Sequence, residues 1–325
     1  MKDLSATDGG DLSPIDLDSA PRVGGHEGLL RCVASGRVYK PILDWRGECE
    51  RSFYELVSKT TTTADFSSLL PHFYGVWRGK DGRGAWIVLS DLTAGAARPC
   101  CMDIKLGSQT FAPDAGVIKA AREAAKAGST AALGFRVTGF LSADGVRAGR
   151  GDRASVTFVA AHAPFAAFFA DRVPAVALAS LILRLIQIRK WALDSQYAFF
   201  GVSLLLSYDA DAPDVSVRAI LIDFAHVWGR GGRLRADNDN NDDKDANAEN
   251  EVDVGDDKDD ADAGKRAAIK EDLARGLTNV IACVEHLRAL AEGESSARLC
   301  LVDQQTPMMM MPWLEGKKGG GGGAL

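Results

Sequence analysis

Pro99-Cys100-Cys101-Met102-Asp103-Ile104-Lys105-Leu106-Gly107 sets an acid and a base two residues apart in an otherwise apolar run. Such a run predicts a strand, and a strand sends residues i and i+2 to one face. Asp103 and Lys105 therefore point together into a single cavity. Two charges there need a partner or a polar ligand to offset their desolvation, so this strand is a candidate site before any other part of the chain is read.

Upstream, Cys32-Val33-Ala34 and Arg37-Val38-Tyr39-Lys40 flank Ser35-Gly36 as a hairpin would. Glu48 to Ser58 has helical spacing, with Phe53, Leu56 and Val57 turned inward. Phe73 to Trp77 and Ala85 to Leu89 read as strands joined by the glycine-rich turn Gly79 to Gly84. These elements predict a small β-rich lobe with one helix. Downstream, Ala115 to Ala127 reads as a helix, Phe135 to Phe140 as a strand and Ala175 to Asp194 as a long buried helix. The apolar runs Val202 to Tyr208 and Val215 to Ile222, parted by the turn signal Asp209 to Asp214, predict a buried hairpin. Gly264 to Ala291 closes a larger α+β lobe as an amphipathic helix. The fold class expected is thus α+β in two lobes: residues 21–91 for the first and 92–314 for the second, after a disordered stretch at 1–20 and before a flexible tail at 315–325.

The 325 residues, 46% hydrophobic and 25% charged, suffice for a sizeable core. The longest apolar run, Val173 to Leu183, is cut by Arg184 and is too short to span a bilayer. Met1 to Ala20 is acidic and has no apolar h-region, so a cytoplasmic or nuclear location without a transmembrane segment is expected. The six cysteines show no CxxC pairing, and with five histidines they do not group as zinc ligands. Reduced packing thiols are the expectation.

The net charge of −6 conceals two regions of opposite sign. Ala236 to Asp262 holds 13 acids and 2 lysines, so the remainder carries 36 basic against 31 acidic residues. A segment this polar and like-charged is expected to be a disordered loop, either a solubilising insert or a surface for a basic protein partner. The mildly basic body suits a polyanionic ligand, and no feature calls for nucleic acid.

Three further constellations carry chemistry. Ile222-Asp223-Phe224-Ala225-His226 ends an apolar strand and sets a carboxylate at its mouth, where it would either cap a turn or hold magnesium, an ion that needs few protein carboxylates beside phosphate oxygens. Lys119, Arg122 and Lys126 fall at i, i+3 and i+7 of the expected helix and share one face, either a solvated stripe or a grip for several phosphates. Lys40 on the early hairpin precedes Glu50 on the helix, an order compatible with a strand lysine oriented by a helix glutamate. A Walker A sequence, a GxGxxG loop and an HRD segment are all absent, which excludes P-loop and protein-kinase assignments.

Together these residues resemble the inositol polyphosphate kinase family. Pro99 to Gly107 matches its PxxxDxKxG signature, and Asp223 to His226 resembles its metal motif. Val23-Gly24-Gly25-His26, Leu70 to Trp77, Gly134 to Gly139, Ser203-Leu204-Leu205 and Gly276-Leu277 fall in the family's order. The resemblance runs from about Arg22 to Leu290, the acidic insert excepted.

The resemblance implies a kinase-like fold, ATP and Mg2+ as cofactors, and soluble inositol polyphosphates as substrates. Lys40, oriented by Glu50, would meet the nucleotide phosphates, and backbone groups of Ser90 and Leu92 in an interlobe hinge would hold adenine. Asp91 and Asp103 would lie near the ribose or the attacking hydroxyl, with Asp103 orienting that hydroxyl or also acting as its base. Lys105 would meet the transferred phosphoryl group, and Asp223 the metal, with Ser203 nearby. Lys119, Arg122, Lys126 and His226 would grip the inositol phosphates. Only 26 residues separate Gly107 from Gly134, too few for the large substrate-enclosing insertion of dedicated inositol trisphosphate 3-kinases. An open site of the multikinase kind is expected. The alternatives are an inositol hexakisphosphate kinase, or a weakly catalytic scaffold acting through the acidic loop.

Overall fold

The computed structural model describes residues 28–59, 68–79, 84–109, 128–145, 158–169, 172–229, 232–234 and 257–294, with short backbone pieces at 3–4, 13–14, 147–148, 300–301 and 309–310. Two mainly antiparallel sheets organise it. The first contains β1 (Asp3–Leu4), β2 (Ser13–Pro14), β3 (Leu30–Cys32), β4 (Arg37–Pro41), β5 (Phe73–Arg78) and β6 (Ala85–Ser90), in the order β1-β5-β6-β4-β3-β2. Helix α1 (Trp45–Lys59) joins β4 to β5. It opens earlier than the expected Glu48 because Asp44 caps it, accepting from the N–H groups of Arg46 (3.0 Å) and Gly47 (3.4 Å). Its inward face is Cys49, Glu50, Phe53 and Tyr54, with the expected Leu56 and Val57 half-buried.

The second sheet takes β7 (Pro99–Leu106), β8 (Phe135–Leu141) and β9 (Arg147–Ala148), then β11 (Ser203–Asp209) and β12 (Arg218–Ile222), in the order β12-β11-β7-β8-β9. Its helices are α2 (Gly128–Leu133), α3 (Phe158–Phe169), α4 (Ala175–Asp194) and α5 (Asp257–Ala291). A small sheet of β10 (Ala198–Phe199), β13 (Val227–Gly229) and β14 (Gly232–Arg233) sits between them in the chain. The molecule is an α+β protein organised around two sheets.

The register of the second sheet explains its two faces. Met102, Ile104 and Leu106 on β7, Leu204 and Leu206 on β11 and Leu221 on β12 are all completely buried, and with Phe135 and Phe140 they form one core with α4 and α5. Residues paired across the ladders share a face. Lys105 pairs with Ser203 and with Arg136, Asp103 with Leu205 and with Gly139, and Ser203 with Ile222. Lys105 thus shares its face with Ser203 and Arg136, and this face, opposite the core, also carries Asp103.

The hairpin strand β12 begins at Arg218, not at the expected Val215. Ser216 Oγ accepts from Asp209 N (2.8 Å) and donates to Ala212 O (2.6 Å), which lengthens the turn and leaves Val215 exposed. Helix α5 opens at Asp257, inside the acidic stretch expected to be a loop, since a helix N-terminus favours acidic residues. The segment from Ser68 stitches the lobes: Leu221 donates to Leu69 O at 2.9 Å, and Arg184 of α4 bonds the Ser68 carbonyl and hydroxyl. Cys32, Cys49, Cys100, Cys101 and Cys283 are buried and form no disulfide. No helix among the described residues is long and apolar enough to cross a membrane.

Candidate active site

Four elements bring charge to one point. Lys40 leaves β4 towards α1 and the second sheet, where its Nζ stands 2.7 Å from Glu50 Oε2 and 2.8 Å from Asp223 Oδ1. Lys105 Nζ, from β7, is 3.7 Å from Asp223 Oδ2 and donates to Ser203 Oγ at 3.3 Å. Asp223 is thus held between two ammonium groups, one from each sheet. Burial alone would depress the Lys40 ammonium, but the carboxylates of Asp223 and Glu50 outweigh it and raise its pKa above the ordinary lysine value.

The position of Asp223 is built by the residues around it. Asp223 adopts φ 69°, the left-handed region that an aspartate enters more readily than most residues. Phe224 then turns into an aromatic cluster, with ring centroids 4.4 Å from Phe53, 5.6 Å from Phe199 and 5.7 Å from Tyr54. Each such pair contributes about 0.5–1.5 kcal/mol beyond its buried area. The Phe224 N–H donates to Glu50 Oε1 at 3.4 Å, so a single buried glutamate orients Lys40 with one oxygen and the Asp223 loop with the other.

Asp103 lies in the floor of the same cleft, 5% exposed. Its Oδ1 is buried without a hydrogen-bond partner among the described residues. Burial first, then the charge of Asp223, push its carboxyl up to about 6, against the pull of Lys105 and of the Ser203 and Thr138 hydroxyls. A buried carboxyl with one oxygen unpartnered among the described residues can accept a hydrogen bond from a donor such as a hydroxyl.

Of the residues singled out from sequence, Lys40, Glu50, Asp103, Lys105, Ser203 and Asp223 converge. His226 lies one turn on from Asp223, its ring edge-on to Trp45 at 5.2 Å. Ser90 and Asp91 lie at the strand end that leads between the lobes. The Ser90 N–H is donated to His72 O at 2.9 Å, and Asp91 Oδ1 accepts from Thr93 N (2.8 Å) and Thr93 Oγ1 (2.7 Å) while Oδ2 holds Arg31. The Asp91 carboxylate is thus committed to a turn and an ion pair. Lys119, Arg122 and Lys126 lie outside the described residues. Sequence reading missed Arg136, which stands opposite Lys105 on β8, and Thr138, whose Oγ1 donates to Asp103 O at 3.1 Å. Both sit in the Gly134–Gly139 motif, which was the available signal.

No group of three histidine, cysteine or carboxylate side chains that would cage a metal occurs among the described residues. The donor set fits the other mode of divalent binding, in which one or two carboxylates complete a shell drawn mostly from phosphate oxygens and water.

Comparison with known proteins identifies the family. A sequence model of the family described as inositol polyphosphate kinase matches residues 86–250. Inositol polyphosphate multikinase beta of Arabidopsis thaliana is 29% identical over 238 residues, covering 61% of this chain and 78% of that protein. Inositol polyphosphate multikinase of Schizosaccharomyces pombe is 46% identical over a shorter stretch of 63 residues, covering 19% of this chain and 24% of its own. In three dimensions the chain is similar to the inositol phosphate multikinase Ipk2 of S. cerevisiae, solved in complex with ADP and Mn2+, at a TM-score of 0.55 and 17% identity, covering 77% of this chain and 98% of that one. A site of two lysines and three carboxylates, and a family match that covers half of the sequence, lead to one assignment: the chain belongs to the inositol polyphosphate kinase family.

Proposed function

We propose that this protein is an ATP-dependent kinase of the multikinase type, transferring phosphoryl groups to hydroxyls of soluble inositol polyphosphates such as inositol 1,4,5-trisphosphate and tetrakisphosphates. The observation that carries the reading is the convergence of Lys40, Asp223 and Lys105 beside the buried carboxyl of Asp103. Phosphoryl transfer asks a protein mainly for alignment and charge stabilisation. Lys40, held by Glu50, meets the nucleotide phosphates. Lys105 neutralises charge on the group in flight, and Asp103 orients the attacking hydroxyl and accepts its proton. Asp223, with Ser203 nearby, holds Mg2+, which when bound neutralises phosphate oxygens.

At the hinge, Ser90 has already donated its N–H, so its carbonyl and the N–H of Leu92 are the groups it and its neighbour offer to a purine. Asp91, held by Arg31 and Thr93, borders that hinge close to the ribose. Lys119, Arg122, Lys126 and His226 bind the phosphates of the acceptor. The 26 residues between Gly107 and Gly134 are too few for a large substrate-enclosing insertion, which favours several substrates over one. A cytoplasmic or nuclear location and recruitment of a basic protein by the acidic segment are the remaining parts of the proposal.

The test is a product-resolved assay of purified protein with ATP, Mg2+ and, separately, inositol tris-, tetrakis- and hexakisphosphate. Phosphorylation of the first two at more than one position is expected. Pyrophosphate formation on the hexakisphosphate alone would move the protein to the hexakisphosphate kinase branch, and no product from any of them would leave only a scaffold.

A further inference from the structure

The turn that follows Lys105 is gripped from outside the cleft by α5. Ser108 donates its backbone N–H to Asp272 Oδ2 and its hydroxyl to the same oxygen at 2.8 Å. The other Asp272 oxygen accepts from Arg275, whose second terminal nitrogen reaches the Ala132 carbonyl at 2.5 Å. Further along the helix, fully buried Asn279 donates to Leu133 O at 2.8 Å. Asp272, Arg275 and Asn279 are spaced i, i+3 and i+7 and so form one stripe of the helix.

This stripe fixes two strand ends at once. Gly107 N donates to Gly134 O at 2.7 Å, closing the exit of β7 onto the entrance of β8. Gly134, at φ +72°, lies so close to α5 that a Cβ on Gly276 would stand 2.1 Å from its carbonyl oxygen. Two residues inward from this junction, Lys105 and Arg136 are paired across the ladder, two cations side by side on the cleft face. Lys105 and Arg136 are therefore referred to α5 through this junction, whereas Lys40, Glu50 and Asp223 are held by α1 and the aromatic cluster.

We infer that Asp272 is a positioning residue for the phosphorylated acceptor: by holding Ser108 it sets where β7 ends and where Lys105 and Arg136 stand. The inference rests on the kinase reading above. A site supported on a rigid element tolerates little displacement, since about 1 Å of misplacement lowers efficiency by up to about a hundredfold.

The test measures initial rates at varied inositol 1,4,5-trisphosphate and at varied ATP for wild type, Asp272→Ala, Asp272→Asn, Ser108→Ala and the Asp272→Ala/Ser108→Ala double variant, with thermal melts of each. In Asp272→Ala the KM for the inositol phosphate should rise about tenfold while that for ATP stays within about twofold. The double variant should add nothing to Asp272→Ala, because both changes break the same bond. Should Asp272→Ala melt below the assay temperature, Asp272→Asn keeps an acceptor for the Ser108 N–H and shows the same split at smaller amplitude. An unmoved acceptor KM in a folded variant, equal rises in both KM values, or additive effects would overturn the inference. Wild-type protein that phosphorylates no inositol phosphate would instead defeat the kinase reading, and the inference with it.

Discussion

Lys40 Nζ lies 2.8 Å from Asp223 Oδ1, a contact between residues 183 apart in the chain that links the first sheet to the second. Both groups are largely shielded, with 13% and 25% of their side-chain surface exposed, and Glu50 is more deeply buried still at 2%. The ammonium is what allows two carboxylates to stand so close.

Removing that ammonium should be costly. Lys40→Met leaves buried Glu50 without its ammonium and Asp223 with Lys105 alone, and a buried pair broken on one side loses about 3 kcal/mol. Denaturant melts should show that loss, and the KM for ATP should rise. Glu50→Gln, which retains an acceptor for the Phe224 N–H, should cost less than Glu50→Ala.

The carboxyl of Asp103, raised from 3.8 to about 6, ties both stability and rate to pH. Between those two values the folded state holds a proton that the unfolded chain has released. Stability therefore falls as pH rises through this window, by at most about 3 kcal/mol, and is level above it. Asp103→Asn should remove that slope, so that the variant gains on the wild type between pH 4 and pH 7 in thermal melts. Turnover should run the other way, rising with pH through about 6 as the carboxylate becomes available to accept a proton, and Asp103→Asn should lose that limb.

Asp223 combines a charge with a left-handed backbone. Asparagine adopts that conformation readily, so Asp223→Asn should fold while turnover drops about a hundredfold or more. Asp223→Val should also destabilise, because a β-branched residue is strained at φ 69°. Normal Mg2+-dependent activity in Asp223→Asn would remove the metal role from this residue.

Lys119→Ala combined with Lys126→Ala should raise the KM for inositol phosphates more than the KM for ATP. Equal effects in steady-state kinetics would take those lysines out of the acceptor site.

Gly276→Ala tests the contact between α5 and the β7–β8 junction. Its Cβ would meet backbone, not a movable side chain, and the helix would have to shift away. A loss of about 3 kcal/mol in thermal or denaturant melts is expected.

The sequence alone determined what depends on neighbours a few residues apart. The alternation of Asp103 and Lys105 follows from the strand period, and the helix Ala175–Asp194 from an apolar stripe at helical spacing, because backbone geometry imposes both repeats locally. The order of motifs was legible for the same reason. The start of β12 was not, since a serine bonding back into the turn outweighed an apolar run.

Tertiary structure decided the rest. Nothing in the spacing of Lys40, Glu50 and Asp223 says that one ammonium will stand between two carboxylates, or that Glu50 will also hold the Phe224 backbone. Nor does the sequence show that Asp91 is consumed by Arg31 and Thr93, or that Asp272 closes on Ser108 across 164 residues. These contacts form only when two sheets and α5 pack together, because the charges they involve find partners through the fold and not through the chain.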